Sequence, residues 1–204
     1  MADLPLDLAP GLTEHLIRVL DVEGKIPRAL ELLGPIGGRD VVLVDGGRGI
    51  RARQLGDLGA RVALVESSGP AAFEAPDHSA DVVVAFWSAF RGDEPDHLPQ
   101  AQRLLRPSGR LLVVHDYGRD DVAELRGELP DHGLWSRRDG PFLSGGFKVR
   151  VVHCWWTFAS LEEAQGFLAD AFGQPGRDLG ARLTRPRVSY NVAVYHRSFG
   201  EAHT

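Results

Sequence analysis

Asp40-Val41-Val42-Leu43-Val44, followed at once by Asp45-Gly46-Gly47-Arg48-Gly49-Ile50, carries more structural information than any other run of this chain. After the leading Asp40 the first part is wholly apolar, rich in β-branched residues and too short for a helix. Such a run predicts a strand covered on both faces. The glycines behind it let the backbone turn tightly and approach a ligand closely. From Ile50 to Leu58 the placing of Leu55 and Leu58 predicts a short helix, which Gly59 ends. A helix starting near Gly49 aims free N–H groups and the positive end of its dipole at whatever lies above the turn. The turn also has a plain structural reading, as a tight reversal and nothing more. The dinucleotide pattern G-x-G-x-x-G is not formed, because Arg51 and Ala52 stand where the third glycine would fall.

The flanking sequence repeats the alternation. Upstream, Leu12 to Leu20 and Lys25 to Leu33 carry apolar stripes at helical spacing, and Gly37-Gly38 breaks the pattern. Downstream, Arg61 to Val65, Asp81 to Phe86 and Leu111 to His115 read as strands. Leu98, Ala101, Leu104 and Leu105 share a helical face that Pro107-Ser108-Gly109 stops. Strands alternating with helices predict a doubly wound, mostly parallel sheet in three layers. The last third changes character. Phe147 to Phe158 and Arg187 to Ser198 read as strands, separated by a helix that Ser160-Leu161-Glu162-Glu163 caps and Gly173 ends. No linker divides the chain. The expected organisation is one domain over 1–204, with N-terminal helices in 1–37, a ligand-binding half in 38–118 and a C-terminal half with substrate-side elements in 119–204.

Composition bounds the function. The chain has 204 residues, 43% of them apolar, and a formal net charge of -5. That balance argues against a concentrated basic face, so no nucleic-acid partner is expected. Cys154 is the single cysteine; no internal disulfide is available and a reducing, cytoplasmic setting is expected. No apolar run approaches the roughly 20 residues that span a bilayer, and Met1 to Pro10 has no basic n-region. Lys25 and Lys148 are the only lysines among 23 basic residues. With the Ala, Gly and Pro content, this associates the chain with a GC-rich bacterial genome.

Glu66 closes the second strand, 17 residues after Gly49. An acidic residue at about that distance binds ribose hydroxyls in doubly wound folds; otherwise it is a solvated strand end. Together the quoted segments resemble the class I methyltransferases that use S-adenosylmethionine. The Asp45 to Gly49 turn resembles that family's first motif. Ala75 to Val84 looks like the approach to its fourth strand, and Ala101-Gln102-Arg103-Leu104-Leu105-Arg106-Pro107-Ser108-Gly109-Arg110-Leu111 is very similar to the helix, turn and strand after it. The resemblance covers about residues 38 to 118. It implies a Rossmann-like methyltransferase fold with S-adenosylmethionine as cofactor and S-adenosylhomocysteine as product. Asp45, Gly46, Gly47 and Gly49 would form the cofactor turn, Glu66 would hold the ribose, and Phe86 and Trp87 would border cofactor and acceptor.

Two departures follow. In the register that keeps the helix length, the family's acidic position falls on Leu43 and its first glycine on Asp45; a shifted register restores Asp45 as the acid but puts Arg51 at the third glycine and shortens the helix. Asp45 would then accept the cofactor's ammonium, or repel its carboxylate. Second, only 14 residues separate Glu66 from Asp81, whereas a helix, a strand and their loops need roughly 25. The third strand and its helix are therefore expected to be missing, which makes the second strand a sheet edge. Adenine would rest on Ala72, Phe73 or Pro76, and the other role of Phe73 is a plug over that edge.

His115 and Tyr117 close the fourth strand and are the candidate catalytic residues, His115 for its pKa range; its alternative is a hydrogen-bonded packing role. Trp155 and Trp156 alternate faces, with core packing the default for both. Arg137, Arg138, Lys148 and Arg150 would hold an anionic substrate or form a solvated loop. No histidine pair has zinc-like spacing with a cysteine, so no metal is expected. The first expectation is an S-adenosylmethionine-dependent methyltransferase acting on a small molecule. A non-catalytic protein of the same fold, pairing as a homodimer or with a partner through its open edge, is the second. A module for another adenosine compound is the third.

Overall fold

The computed structural model describes residues 3–47, 49–91, 94–127 and 134–200. Strands β1 (Asp40–Val44), β2 (Arg61–Val65), β3 (Ala80–Phe86), β4 (Leu105–Asp116), β5 (Lys148–Thr157) and β6 (Arg187–Ser198) form one sheet in the order β2-β1-β3-β4-β6-β5. The first four are mutually parallel; β6 runs antiparallel to both β4 and β5. Helices α1 (Pro10–Val19), α2 (Lys25–Leu33), α3 (Ile50–Asp57), α4 (His97–Leu104), α5 (Asp121–Arg126), α6 (Pro141–Ser144), α7 (Leu161–Phe172) and α8 (Gln174–Arg182) complete the described elements.

The alternation of side chains along each strand divides the core in two. Val41, Leu43, Val82, Val84, Leu112 and Val114 face one cluster, with residues from α1, α2, α3 and α7. Val42, Val44, Val83, Ala85, Leu111 and Val113 face the other, with Ala101, Leu104, Phe142 and Phe147. These strands are apolar on both sides because both sides are covered.

No strand or helix forms between β2 and β3 among the described residues, and β2 is an edge of the sheet. Arg61, Ala63 and Leu64 of that strand are open to solvent, Leu64 55% exposed. The short segment that replaces the missing elements leaves a groove of about 430 Å³ against β1 and β2, lined among others by Val42, Val62, Ala75 and Pro76. One bridge, Glu66 with Ala72, is all that pairs beyond β2 among the described residues.

Two boundaries differ from the sequence reading. Strand β4 begins at Leu105, where α4 ends, and runs through Pro107-Ser108-Gly109 as an irregularity in its pairing with β3. Beyond Gly173 the chain goes on as helix α8, which contains Pro175, Gly176 and Gly180. Pro175 sits in the first turn, where it is tolerated, and Gly176 lies so close to α7 that a Cβ there would stand 1.9 Å from the Leu168 carbonyl oxygen.

Candidate active site

The carboxyl ends of β1, β2, β3 and β4 lie side by side, and the chain reverses at each. At β1 the turn is held from its neighbour. Asp45 has φ 55°, and its N–H donates to the Val65 carbonyl at 2.8 Å. Its carboxylate accepts from the Ser67 N–H at 2.7 Å and the Ser67 hydroxyl at 2.8 Å. Both oxygens of Asp45 are thus engaged within the protein, each by one bond to Ser67. Its effect is on Glu66, whose two chain neighbours both bond to Asp45, so that an exposed carboxylate is presented beside the turn.

The three glycines differ. A Cβ on Gly46 would lie 2.5 Å from a Leu43 methyl carbon, so this glycine serves packing. Gly47 is exposed and a Cβ there meets nothing within 4 Å. Gly49 has φ 70° and caps α3. That helix has eight residues, in keeping with the shifted register that puts Arg51 at the third glycine.

Arg51 is what sequence reasoning missed. Its side chain turns inward and is 2% exposed. The guanidinium lies over the rings of Phe86 and Trp87, 5.1 and 5.0 Å from their centroids. Nε donates to the Asp3 carbonyl at 3.0 Å and Nη1 to Gln54 at 2.6 Å. Burial pulls its pKa below the usual arginine range. Phe86 and Trp87 are themselves buried, so they meet Arg51 and not an open pocket.

Trp87 also joins a polar cluster at the end of β4. Asp116 accepts from the Trp87 indole at 3.1 Å, from the Tyr190 phenol and from Arg126. Burial, with the neighbouring carboxylate, holds the Tyr190 hydroxyl protonated far above the usual range. His115, next to it, is 1% exposed and packs against Trp135 and Phe142. Its Nε2–H donates to the Ala89 carbonyl at 3.2 Å. Burial lowers its pKa to about 4, so it is neutral and hydrogen-bonded inward. That overturns its reading as a general base. Tyr117 is half-buried, with the Arg119 guanidinium 5.8 Å from its ring.

Phe73 is 1% exposed and packs edge-on against Phe90 and His97. It plugs the second core cluster and offers no face to adenine, which settles its two readings. Trp156 is fully buried; Trp155 is half-buried under Arg187. Arg137, Arg138, Lys148 and Arg150 are exposed. No cluster of potential metal ligands exists among the described residues. No described helix is long and apolar enough to cross a membrane.

Known structures share this architecture. A candidate type II methyltransferase from Anaeromyxobacter dehalogenans aligns with TM-score 0.54 at 16% identity, covering 86% of this chain and 97% of that one. A candidate methyltransferase from an antibiotic biosynthesis pathway of Anabaena variabilis gives 0.52 at 15% identity, covering 89% and 99%. A SAM-dependent methyltransferase from Aquifex aeolicus gives 0.50 at 14%, covering 93% and 99%. The chain therefore has the Rossmann-like fold of the class I S-adenosylmethionine-dependent methyltransferases, in a shortened and divergent form. No model of a known protein family matches it.

In sequence it is similar to the tRNA N(3)-cytidine methyltransferase METTL2 of Danio rerio, 35% identical over 119 residues, which is 55% of this chain and 32% of that protein. The Bos taurus METTL2 is 32% identical over 120 residues, covering 55% and 30%. The chain thus spans about a third of the length of these curated relatives. They correct the expectation of a small-molecule substrate without nucleic acid, since both act on tRNA. A net charge of -5 averages over the whole surface and does not describe any one face, so it does not decide the matter.

Proposed function

We propose that the chain is an S-adenosylmethionine-dependent methyltransferase whose acceptor is a nucleobase in RNA. One observation carries the cofactor half: the open turn at Gly47 and the exposed Glu66 are neighbours, with Asp45 fixing one to the other. An adenosyl compound needs such a pair, a backbone that admits close approach and a carboxylate for the ribose hydroxyls. The cofactor would supply an activated methyl group.

The acceptor half is supported by the METTL2 relatives and by the chemistry at the end of β4. His115 and Asp116 are both committed to protein partners. An acceptor that must lose a proton would find no base in either. A ring nitrogen with its own lone pair, such as N3 of cytidine, needs none. Its bond to the methyl carbon forms as the bond to sulfur breaks, and the positive charge passes to the base. What the protein then supplies is alignment.

The burial of Arg51 over Phe86 and Trp87 favours a second reading, a protein of this fold that binds without catalysing. The two readings separate by calorimetric titration with S-adenosylmethionine and S-adenosylhomocysteine, followed by transfer of a labelled methyl group to tRNA with nucleosides resolved by mass spectrometry. The first expects binding, a loss of tenfold or more in Glu66→Ala, and a methylated nucleoside. Silence at millimolar ligand would overturn the cofactor half; binding without transfer would leave the second reading standing.

A further inference from the structure

Arg51 keeps a full positive charge inside the protein without an anion in contact. It forms no ion pair with any carboxylate among the described residues, and Asp3 and Asp21 act on it only through longer-range attraction. A buried charge left unpaired is costly, and proteins seldom keep one without a partner for it. Two hydrogen bonds, on Nε and Nη1, hold the group in place; Nη2 donates to nothing among the described residues. The rings of Phe86 and Trp87 lie on one side of the guanidinium, 5.1 and 5.0 Å from its carbon and 5.9 Å from each other. Nη2 is thus the donor left for a ligand, and a guanidinium receives a carboxylate through such N–H groups along its edge.

Strand order supplies the direction. Glu66 ends β2, on one side of the β1 turn, while Phe86 and Trp87 close β3, on the other. A ligand whose ribose reaches Glu66 and whose middle crosses Gly47 carries its far end to Arg51. The far end of an S-adenosyl compound is an amino acid with a free carboxylate. Asp45 is itself an anion tied to Ser67 and does not serve as the receptor for that carboxylate.

We propose that Arg51 is the receptor for the amino-acid carboxylate of the S-adenosyl ligand, a place that the Asp3 carbonyl takes in the free protein. This rests on the cofactor reading above. It makes Arg51 a ligand-binding residue where the resemblance alone would put a glycine.

The test is calorimetry on the full chain with S-adenosylhomocysteine and with 5′-methylthioadenosine, which keeps the adenosine and the thioether but has no carboxylate. The unaltered chain should prefer S-adenosylhomocysteine by tenfold or more. Arg51→Met, checked for folding by circular dichroism, should erase that preference while holding 5′-methylthioadenosine within about twofold. The carboxamide of S-adenosylhomocysteine should lose the same factor on the unaltered chain, which tests the contact without any substitution. An undiminished preference in Arg51→Met, or tighter binding of both ligands, overturns the proposal while leaving the cofactor reading intact; in the second case Arg51 is a plug. If the unaltered chain takes neither ligand, both fail together.

Discussion

The carboxylate of Asp45 bonds to both the N–H and the hydroxyl of Ser67, so that the glycine turn after β1 and the end of β2 are one unit. Asp45→Ala removes two charge-assisted hydrogen bonds and puts alanine at φ 55°, a region that aspartate tolerates better. We expect a loss of about 2 kcal/mol, read from urea unfolding. Affinity for S-adenosylhomocysteine should fall as well, because Ser67, next to Glu66, loses its anchor while the backbone bond to Val65 remains. Asp45→Asn keeps an acceptor and suits the backbone angle, and should fall between.

Three alanine substitutions in that turn should give three different results. Gly46→Ala drives a Cβ into Leu43 and should cost about 1–3 kcal/mol. Gly49→Ala meets no neighbour but sits at φ 70°, which costs about 1–2 kcal/mol. Gly47→Ala meets open space and should leave unfolding unchanged within about 0.5 kcal/mol. Only there should ligand affinity fall without loss of stability, because only that Cβ enters the space over the turn. Equal affinity in Gly47→Ala would place the ligand elsewhere.

Much of this architecture was legible because buried parallel strands leave a blunt signature. β1 and β3 are short β-branched runs flanked by turn residues, and the 14 positions between Glu66 and Asp81 are too few for the missing strand and helix. What escaped notice depends on contacts between distant segments. Gly176 and Gly180 break helices in isolation, yet in α8 they let two helices approach. Arg51 lies between Arg48 and Arg53, where an arginine reads as solvated. Nothing local says that Phe86 and Trp87, some 35 residues on, will cover it, although its place at the third glycine was a departure that pointed there. Phe73 and His115 had the right chemistry for a site, and only their burial shows that it is spent on packing.

His115 should make stability depend on pH. Burial holds its pKa to about 4 in the folded chain, against about 6.5 when unfolded. Between those values the unfolded chain binds a proton that the folded one refuses, so stability declines as pH falls from 6.5 towards 4. The decline should reach about 2 kcal/mol by pH 5. Urea midpoints at pH 7 and pH 5 measure it, and His115→Gln, which still donates to Ala89, should remove most of the difference. Where the proposed methyl transfer is observed, the same variant should keep its rate at neutral pH within a fewfold, since a neutral, inward-bonded imidazole takes no proton from an acceptor.

Asp116 collects hydrogen bonds from Trp87, Tyr190 and Arg126, and the cluster should behave as a unit. Tyr190→Phe removes one donor and leaves the carboxylate paired with Arg126. It should cost about 1–2 kcal/mol. Asp116→Ala is different in kind, because it strands a buried phenol, an indole N–H and a guanidinium at once. Removing one partner of a buried ion pair costs about 3–5 kcal/mol. With Asp116 already gone, deleting the Tyr190 hydroxyl removes a group that has lost its acceptor. The double variant should therefore be more stable than the sum of the single losses, by roughly 1–2 kcal/mol in a urea cycle. Simple additivity would mean that Tyr190 and Asp116 do not support one another, and that Trp87 is held under Arg51 by packing alone.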